Sequence, residues 1–155
     1  MLNQPPRATQ QVLFLCSGNY YRSRFAEVYF NWQSERRGLF WVAESRGLAI
    51  NPWNHGPISR HTLARLRARG IASSACERSP LALTADDLKA ADHVVAVKES
   101  EHRPLVDANF PAWKSRVEYW HIDDLDCVQP NIALPYIERE VDRLIERLVQ
   151  PRMAA

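Results

Sequence analysis

Five apolar residues in succession, Val12-Leu13-Phe14-Leu15-Cys16, run straight into a polar loop, Ser17-Gly18-Asn19-Tyr20-Tyr21. An unbroken apolar run of that length suits a strand covered on both faces, the position of a central strand in a parallel sheet. Gly18 and Asn19 tolerate the positive φ that a tight turn demands. Phe25, Val28, Tyr29 and Trp32 then recur at i, i+3, i+4 and i+7, one face of a helix. Strand, tight loop and helix in that order open a βαβ unit.

The rest of the chain keeps the alternation. Leu39–Ser45 reads as a second strand built on Phe40, Trp41 and Val42, followed by a loop over 46–57 rich in Gly, Pro and Asn. Ser59 is placed as an N-cap, with Ile58 and Leu63 as a hydrophobic staple and Gly70 where the helix ends. Thr84-Ala85-Asp86-Asp87 has the form of a capping box. His93–Val97 is the next buried strand, Glu99–Val106 a short helix and Arg116–Tyr119 a last short strand. Ile137, Val141, Leu144, Ile145 and Leu148 form the apolar stripe of a C-terminal helix. The pattern predicts an α/β chain, with residues 1–10 a flexible N-terminal tail and 11–150 a single domain.

At 155 residues the chain is long enough to bury a full core. Its 46% hydrophobic and 25% charged residues are those of an ordinary globular protein. No apolar run approaches the ~20 residues of a membrane span, and the first eleven residues lack the apolar core of a secretory signal. No membrane is therefore expected as a partner. A net charge of +2 gives no reason to expect nucleic acid, although seventeen of the twenty basic residues are Arg. Cys16, Cys76 and Cys127 are odd in number and widely spaced, which fits neither a disulfide framework nor a zinc site. A reducing cytoplasm is the expected compartment. The five histidines show no metal spacing.

The chemistry concentrates at Cys16 and Arg22. Five residues between them can wrap one tetrahedral oxyanion, with backbone N–H groups turned inward and a helix N-terminus adding partial positive charge. Arg22 can fork onto two oxygens of that anion. Cys16, beneath it, faces the phosphorus of a bound phosphoryl group, and a thiolate is the nucleophilic form of cysteine. The competing reading of Cys16 is a small core hydrophobe.

The run Val12-Leu13-Phe14-Leu15-Cys16-Ser17-Gly18-Asn19-Tyr20-Tyr21-Arg22-Ser23-Arg24-Phe25-Ala26-Glu27 resembles the opening of the low-molecular-weight protein tyrosine phosphatases, whose scaffold the related arsenate reductases share. Val42–Gly47, Gly56–Gly70, Ala91–Val97, an Asp-containing loop after Trp120 and the final helix extend the resemblance over nearly the whole chain. It implies a flavodoxin-like three-layer sandwich around a four-stranded parallel sheet of order 2-1-3-4, with helices on both faces. It also implies a cysteine-dependent phosphomonoesterase needing no cofactor, a monomer or weak dimer, acting on a phosphorylated protein or a small aryl phosphate. Cys16 would be the nucleophile and form a phosphocysteine, and Arg22 would bind the phosphoryl oxygens. Ser17, Gly18, Asn19, Tyr20, Tyr21, Ser23 and Trp53 are the candidate substrate-binding residues. Within that set Asn19 would brace the loop, Ser23 would hydrogen-bond the sulfur and Trp53 would set specificity. Matching Trp120 and Ile122 to the arsenate-reductase form of the loop puts Asp124 on the general acid, with Asp123 as its rival and Asp126 behind both.

Several positions depart from the family pattern. Leu125, Asp126 and Cys127 follow Asp124 where the phosphatases usually carry Pro and then tyrosines. Tyr20 and Tyr21 stand in the cradle, where their rings could narrow the mouth or supply an aromatic wall. Arg24 replaces a common Pro and would add charge near the mouth. Tyr21 also removes the second cradle cysteine that protects some family members by a disulfide. Cys76 and Cys127 do not form the close resolving pair of thioredoxin-coupled arsenate reductases, and burial of an inert thiol is the expectation for Cys76. An arsenate reductase using an external thiol and a non-catalytic module that binds phosphorylated ligands remain the alternatives.

Overall fold

The computed structural model describes residues 8–73, 77–125 and 127–150. Most of the 1–10 tail, together with Cys76 and Asp126, lies outside the described residues. The elements run β1 (Gln10–Cys16), α1 (Arg22–Arg36), β2 (Trp41–Gly47), α2 (Arg60–Ala68), α3 (Ala85–Ala90), β3 (His93–Ala96), α4 (Glu99–Asn109), a 3-10 turn (Pro111–Trp113), β4 (Val117–Tyr119) and α5 (Pro130–Val149). The four strands form one parallel sheet in the order β2-β1-β3-β4. Both the α/β sandwich and its strand order match the expectation from sequence.

The unbroken apolar run of β1 follows from its place. Val12, Phe14 and Cys16 face α1 and α5 within one buried cluster, while Leu13 and Leu15 face Leu83, Leu88, Val94 and Ala96 on the other side. Burial of each large side chain contributes about 1.5–3 kcal/mol, so a polar residue anywhere in β1 would be costly. The stripe of α5 packs against α1, with Ile137, Val141, Leu144 and Ile145 buried. Thr84 and Asp87 close the expected capping box on α3. Ser59 accepts from the His61 backbone N–H at the head of α2, and Gly70 follows that helix with φ +70°.

Two expectations shift. The second strand begins at Trp41 rather than Leu39 and extends to Gly47, and Phe40 and Val42 are 51% and 45% exposed. Its inward residues are the small Ala43, Ser45 and Gly47, because α1 lies close over this edge. The Asn31 side chain bonds both the N–H and the C=O of Ala43, and Ser34 donates to the Trp41 carbonyl. The second shift concerns α1, which buries more than the Phe25–Trp32 stripe. Ala26, Glu27, Phe30 and Ser34 are buried as well, since β2, β1, α2 and α5 all contact this helix.

In a parallel sheet every strand ends at the same edge, and ligands collect outside those carboxyl ends. Here that edge gathers the 17–21 loop after β1, the 48–59 loop after β2, the start of α4 and the 120–129 segment after β4.

Candidate active site

Cys16 closes β1 and is nearly fully buried, with its sulfur at the floor of a cavity of about 290 Å³. Ser17, Gly18, Tyr20, Tyr21 and Arg22 line the same cavity from the cradle, Ala49, Asn51 and Asn54 from the loop after β2, and Asp124 and Leu125 from the segment after β4. No side chain caps the start of α1 and no acidic residue sits in its first turn, so the N-terminal N–H groups of this helix keep their affinity for an anion.

Asn19 shapes the loop. It adopts φ +49° and is fully buried. Its Nδ2 donates to Ser23 Oγ (3.0 Å) and Ser45 Oγ (2.9 Å), and its Oδ1 accepts from Arg78 Nη1 (2.9 Å) and the Leu81 N–H (3.0 Å). That satisfies the hydrogen-bonding capacity of the amide. Because Ser23 Oγ accepts from Asn19, its own proton is available to Cys16 Sγ, 2.9 Å away. Asn19 and Ser23, grouped from the sequence with the substrate-binding residues, do not line the cavity. They sit beneath it, where burial leaves them to hold the loop and the sulfur.

Arg22 is buried and tied on two sides. Nη1 donates to the Ile122 carbonyl (2.9 Å), Nη2 donates to Glu101 Oε2 (2.6 Å), and Asp124 Oδ2 lies 3.4 Å from Nη2. Burial works against its charge, but Cys16, Asp124 and Glu101 more than offset that and raise its pKa. Asp124 lies in the cavity wall, with Oδ1 accepting from the Leu125 N–H. Asp123 turns away to pair with Lys98 and lines a different hollow with Val128 and Tyr136. Of the two described candidates, the structure brings Asp124 to the cradle.

The aromatic and basic neighbours fall differently from expectation. Tyr20 is half-buried, and its hydroxyl donates to the His55 carbonyl. Tyr21 lines the cavity from a buried position, and its hydroxyl has no hydrogen-bond partner among the described residues. Burial first, and Asp124 second, push its pKa up to about 12, so it remains a neutral hydroxyl at physiological pH. Trp53 is 84% exposed and belongs to an adjoining cavity that shares Tyr20, Asn54 and Leu125 with the first. Arg24 adds no charge at the mouth. It is fully buried and donates to the carbonyls of Asn19, Pro57 and Arg78, joining three loops through one guanidinium. Cys127 is exposed. Among the described residues no group of three His, Cys, Asp or Glu could hold a metal, and no helix is long and apolar enough to cross a membrane.

Gly47 makes the fit between β2 and the cradle possible. A Cβ there would stand 2.8 Å from the Ser17 carbonyl oxygen and 3.1 Å from Asn19 Cβ. Gly47→Ala is expected to destabilise the protein by about 1–3 kcal/mol through overpacking. It should also weaken oxyanion binding, because, besides the Ile50 side chain at 2.5 Å, it presses on the Ser17 carbonyl and the Asn19 side chain of the cradle. A melting temperature and a phosphate affinity both equal to wild type would contradict that account.

Sequence reasoning missed Ser45, Glu27, Arg78, Glu101 and His102. Ser45 donates to Glu27 Oε1 (2.6 Å), and Arg78 bridges Asn19, Ser45 and Glu27. Ser45, Arg78, Glu101 and His102 lie 29 or more positions from Cys16, and Glu27 falls outside the Phe25–Trp32 stripe of α1, so spacing carried no signal for them.

The sequence profile of low molecular weight phosphotyrosine protein phosphatases matches residues 11–148. The chain belongs to this family. Among the phosphatases it resembles, the protein-arginine-phosphatase of Bacillus subtilis (strain 168) is 30% identical over 147 residues, 90% of this chain and 94% of the relative. The low molecular weight protein tyrosine phosphatase of T. tengcongensis superposes with a TM-score of 0.77 at 26% identity, covering 89% of this chain and 99% of that one. The YwlE arginine phosphatase of Geobacillus stearothermophilus shares the fold, with a TM-score of 0.71 at 24% identity over 90% of this chain and 92% of its own. A phosphatase fold and a hydrolase of this family type are therefore shared ground for the chain and its relatives.

Proposed function

We propose that the protein hydrolyses aryl phosphate monoesters, on protein tyrosine or on a small molecule, through a phosphocysteine intermediate on Cys16. The observation that carries this reading is the convergence of Cys16, Arg22 and Asp124 on one cavity at the carboxyl edge of the sheet. Cys16 Sγ attacks phosphorus in line with the leaving oxygen. The S–P bond forms as the P–O bond breaks, and Asp124, protonated, gives its proton to the departing phenolate. Ser23 donates to the sulfur, while Arg22 and the inward N–H groups of the loop stabilise the equatorial oxygens. In the second half a water attacks the phosphocysteine, Asp124 takes the water's proton, and inorganic phosphate leaves with the thiolate restored. The chemistry needs Cys16 reduced, which suits a cytoplasmic protein.

A second reading is favoured by two observations. A relative 30% identical is named a protein-arginine-phosphatase, and Leu125, not an aromatic side chain, follows Asp124 at the mouth. A phosphoarginine substrate would present a cationic leaving group to Asp124.

The test is hydrolysis of para-nitrophenyl phosphate, phenyl phosphate, a phosphotyrosine peptide and a phosphoarginine peptide from about pH 4.5 to 8 in excess reductant. With Asp124→Asn, turnover of phenyl phosphate is expected to fall about 10²–10⁴-fold, while para-nitrophenyl phosphate, whose phenolate leaves unaided, loses roughly tenfold or less. Equal losses on both esters would remove Asp124 from the acid role. Turnover of the phosphoarginine peptide alone would favour the second reading.

A further inference from the structure

Ser17 and Arg22 are the first and last residues of the cradle after Cys16, and two adjacent residues of α4 hold them both. Glu101 Oε2 lies 2.6 Å from Arg22 Nη2 and 2.7 Å from His102 Nε2, and that same Nε2 lies 3.1 Å from Ser17 Oγ. We propose that Glu101 and His102 form a clasp that fixes the two ends of the cradle for an incoming tetrahedral oxyanion, with Glu101 acting as a positioning residue for Arg22. The inference rests on the phosphatase reading for the identity of that oxyanion.

The proton on His102 is determined by its neighbours. The Lys98 backbone N–H donates to Nδ1 at 3.0 Å, so Nδ1 is the acceptor and the hydrogen sits on Nε2, aimed at Glu101 and Ser17. The ring is fully buried, and a second proton on Nδ1 would meet the Lys98 donor head-on. Burial also pushes the His102 pKa below its ordinary value. His102 is thus a fixed neutral donor. Glu101 is the charged half of the clasp. Its pKa is lowered to about 2, first by the hydrogen bond from His102 and then, against burial, by Arg22.

Glu101 is not among the residues lining the cavity and grips the guanidinium from outside it. The Ile122 carbonyl takes Nη1. With both terminal nitrogens tied, Nε has no hydrogen-bond partner among the described residues, and its N–H is left for the anion along with the remaining Nη protons. A guanidinium immobilised in this way loses little further freedom on binding, which is the benefit of preorganisation.

The experiment compares Glu101→Gln with Glu101→Ala. Both remove the same charge, but the Gln side-chain oxygen can still accept from Arg22 and His102, whereas Ala accepts from neither. Binding of tungstate, an unreactive tetrahedral oxyanion, is measured by calorimetry, and kcat and KM are measured on para-nitrophenyl phosphate. Glu101→Ala is expected to bind tungstate about tenfold more weakly than Glu101→Gln and to lose about tenfold in kcat relative to it, the worth of a charge-assisted hydrogen bond. Equal tungstate affinities and equal kcat in the two variants would overturn the clasp. Should Glu101→Ala fail to fold, Glu101→Ser, equally neutral and too short to reach, replaces it. A wild type that binds tungstate but hydrolyses none of the phosphate substrates would overturn the phosphatase reading and leave the comparison of variants to judge the clasp. A wild type that does not bind tungstate would overturn both.

Discussion

Cys16→Ser is expected to lose at least about 10⁴-fold in turnover of para-nitrophenyl phosphate while keeping its fold. The structural side of this expectation comes from the surroundings of the sulfur. It is buried at the end of β1, with Ser23 Oγ at 2.9 Å. A serine hydroxyl is smaller and can keep a hydrogen bond to Ser23, so the change in stability should stay below about 1.5 kcal/mol. The chemical side is harsher. A serine nucleophile needs a base, and His102, the imidazole tied to the cradle residue Ser17, has its acceptor nitrogen committed to the Lys98 N–H and directs its proton at Glu101 and Ser17. No basic nitrogen of that ring is left to activate a hydroxyl. Paired measurement of turnover and melting temperature checks both halves. Residual activity within tenfold of wild type would remove Cys16 from the nucleophile role.

Arg22→Lys should be nearly as damaging, although it conserves charge. Lysine offers a point charge on a flexible stem where the site uses a planar fork. Arg22 reaches Ile122, Glu101 and Asp124 at the same time, and under the proposed function its remaining N–H groups serve the phosphoryl oxygens. A single ammonium cannot span those partners, so either the carbonyl and carboxylate lose their donor or the anion does. Loss of one oxyanion donor typically costs about 10²–10³-fold in kcat, and the loss here should reach at least that. Stability should fall too, by about 1–3 kcal/mol, because the buried Ile122 carbonyl loses its charged donor. Steady-state kinetics and thermal unfolding of the same preparation separate the two effects. A variant with wild-type kcat would contradict the assignment of Arg22 to the phosphoryl group.

Much of this architecture is legible in the sequence alone, and the reason lies in how local the signals are. The run from Val12 to Cys16 declares a two-sided strand, the 3.6-residue recurrence in α5 declares its buried face, and the Thr84–Asp87 box declares a helix start. The cradle is likewise one contiguous stretch, so Cys16, Arg22, Asn19 and Ser23 were legible together. What sequence spacing did not carry was contact across the fold. Glu101 meets Arg22 over 79 positions and Arg78 meets Asn19 over 59. The register of β2 also escaped, because Phe40 and Val42 look like core residues, whereas the close approach of α1 admits only Ala43, Ser45 and Gly47 on the inner side. Arg24 misled for a similar reason, since an arginine near a polar loop reads as surface charge until its three carbonyl partners are known.

The direction of β1 has a practical consequence. The strand enters the sheet at Gln10 and delivers Cys16 to the cavity, a separation of roughly 20 Å at the usual rise of an extended chain. The start of β1 at Gln10 therefore lies at the edge of the sheet opposite the cavity. A reporter coupled at Gln10 should leave the mouth open, so the protein can be immobilised from that edge without turning its opening toward the support.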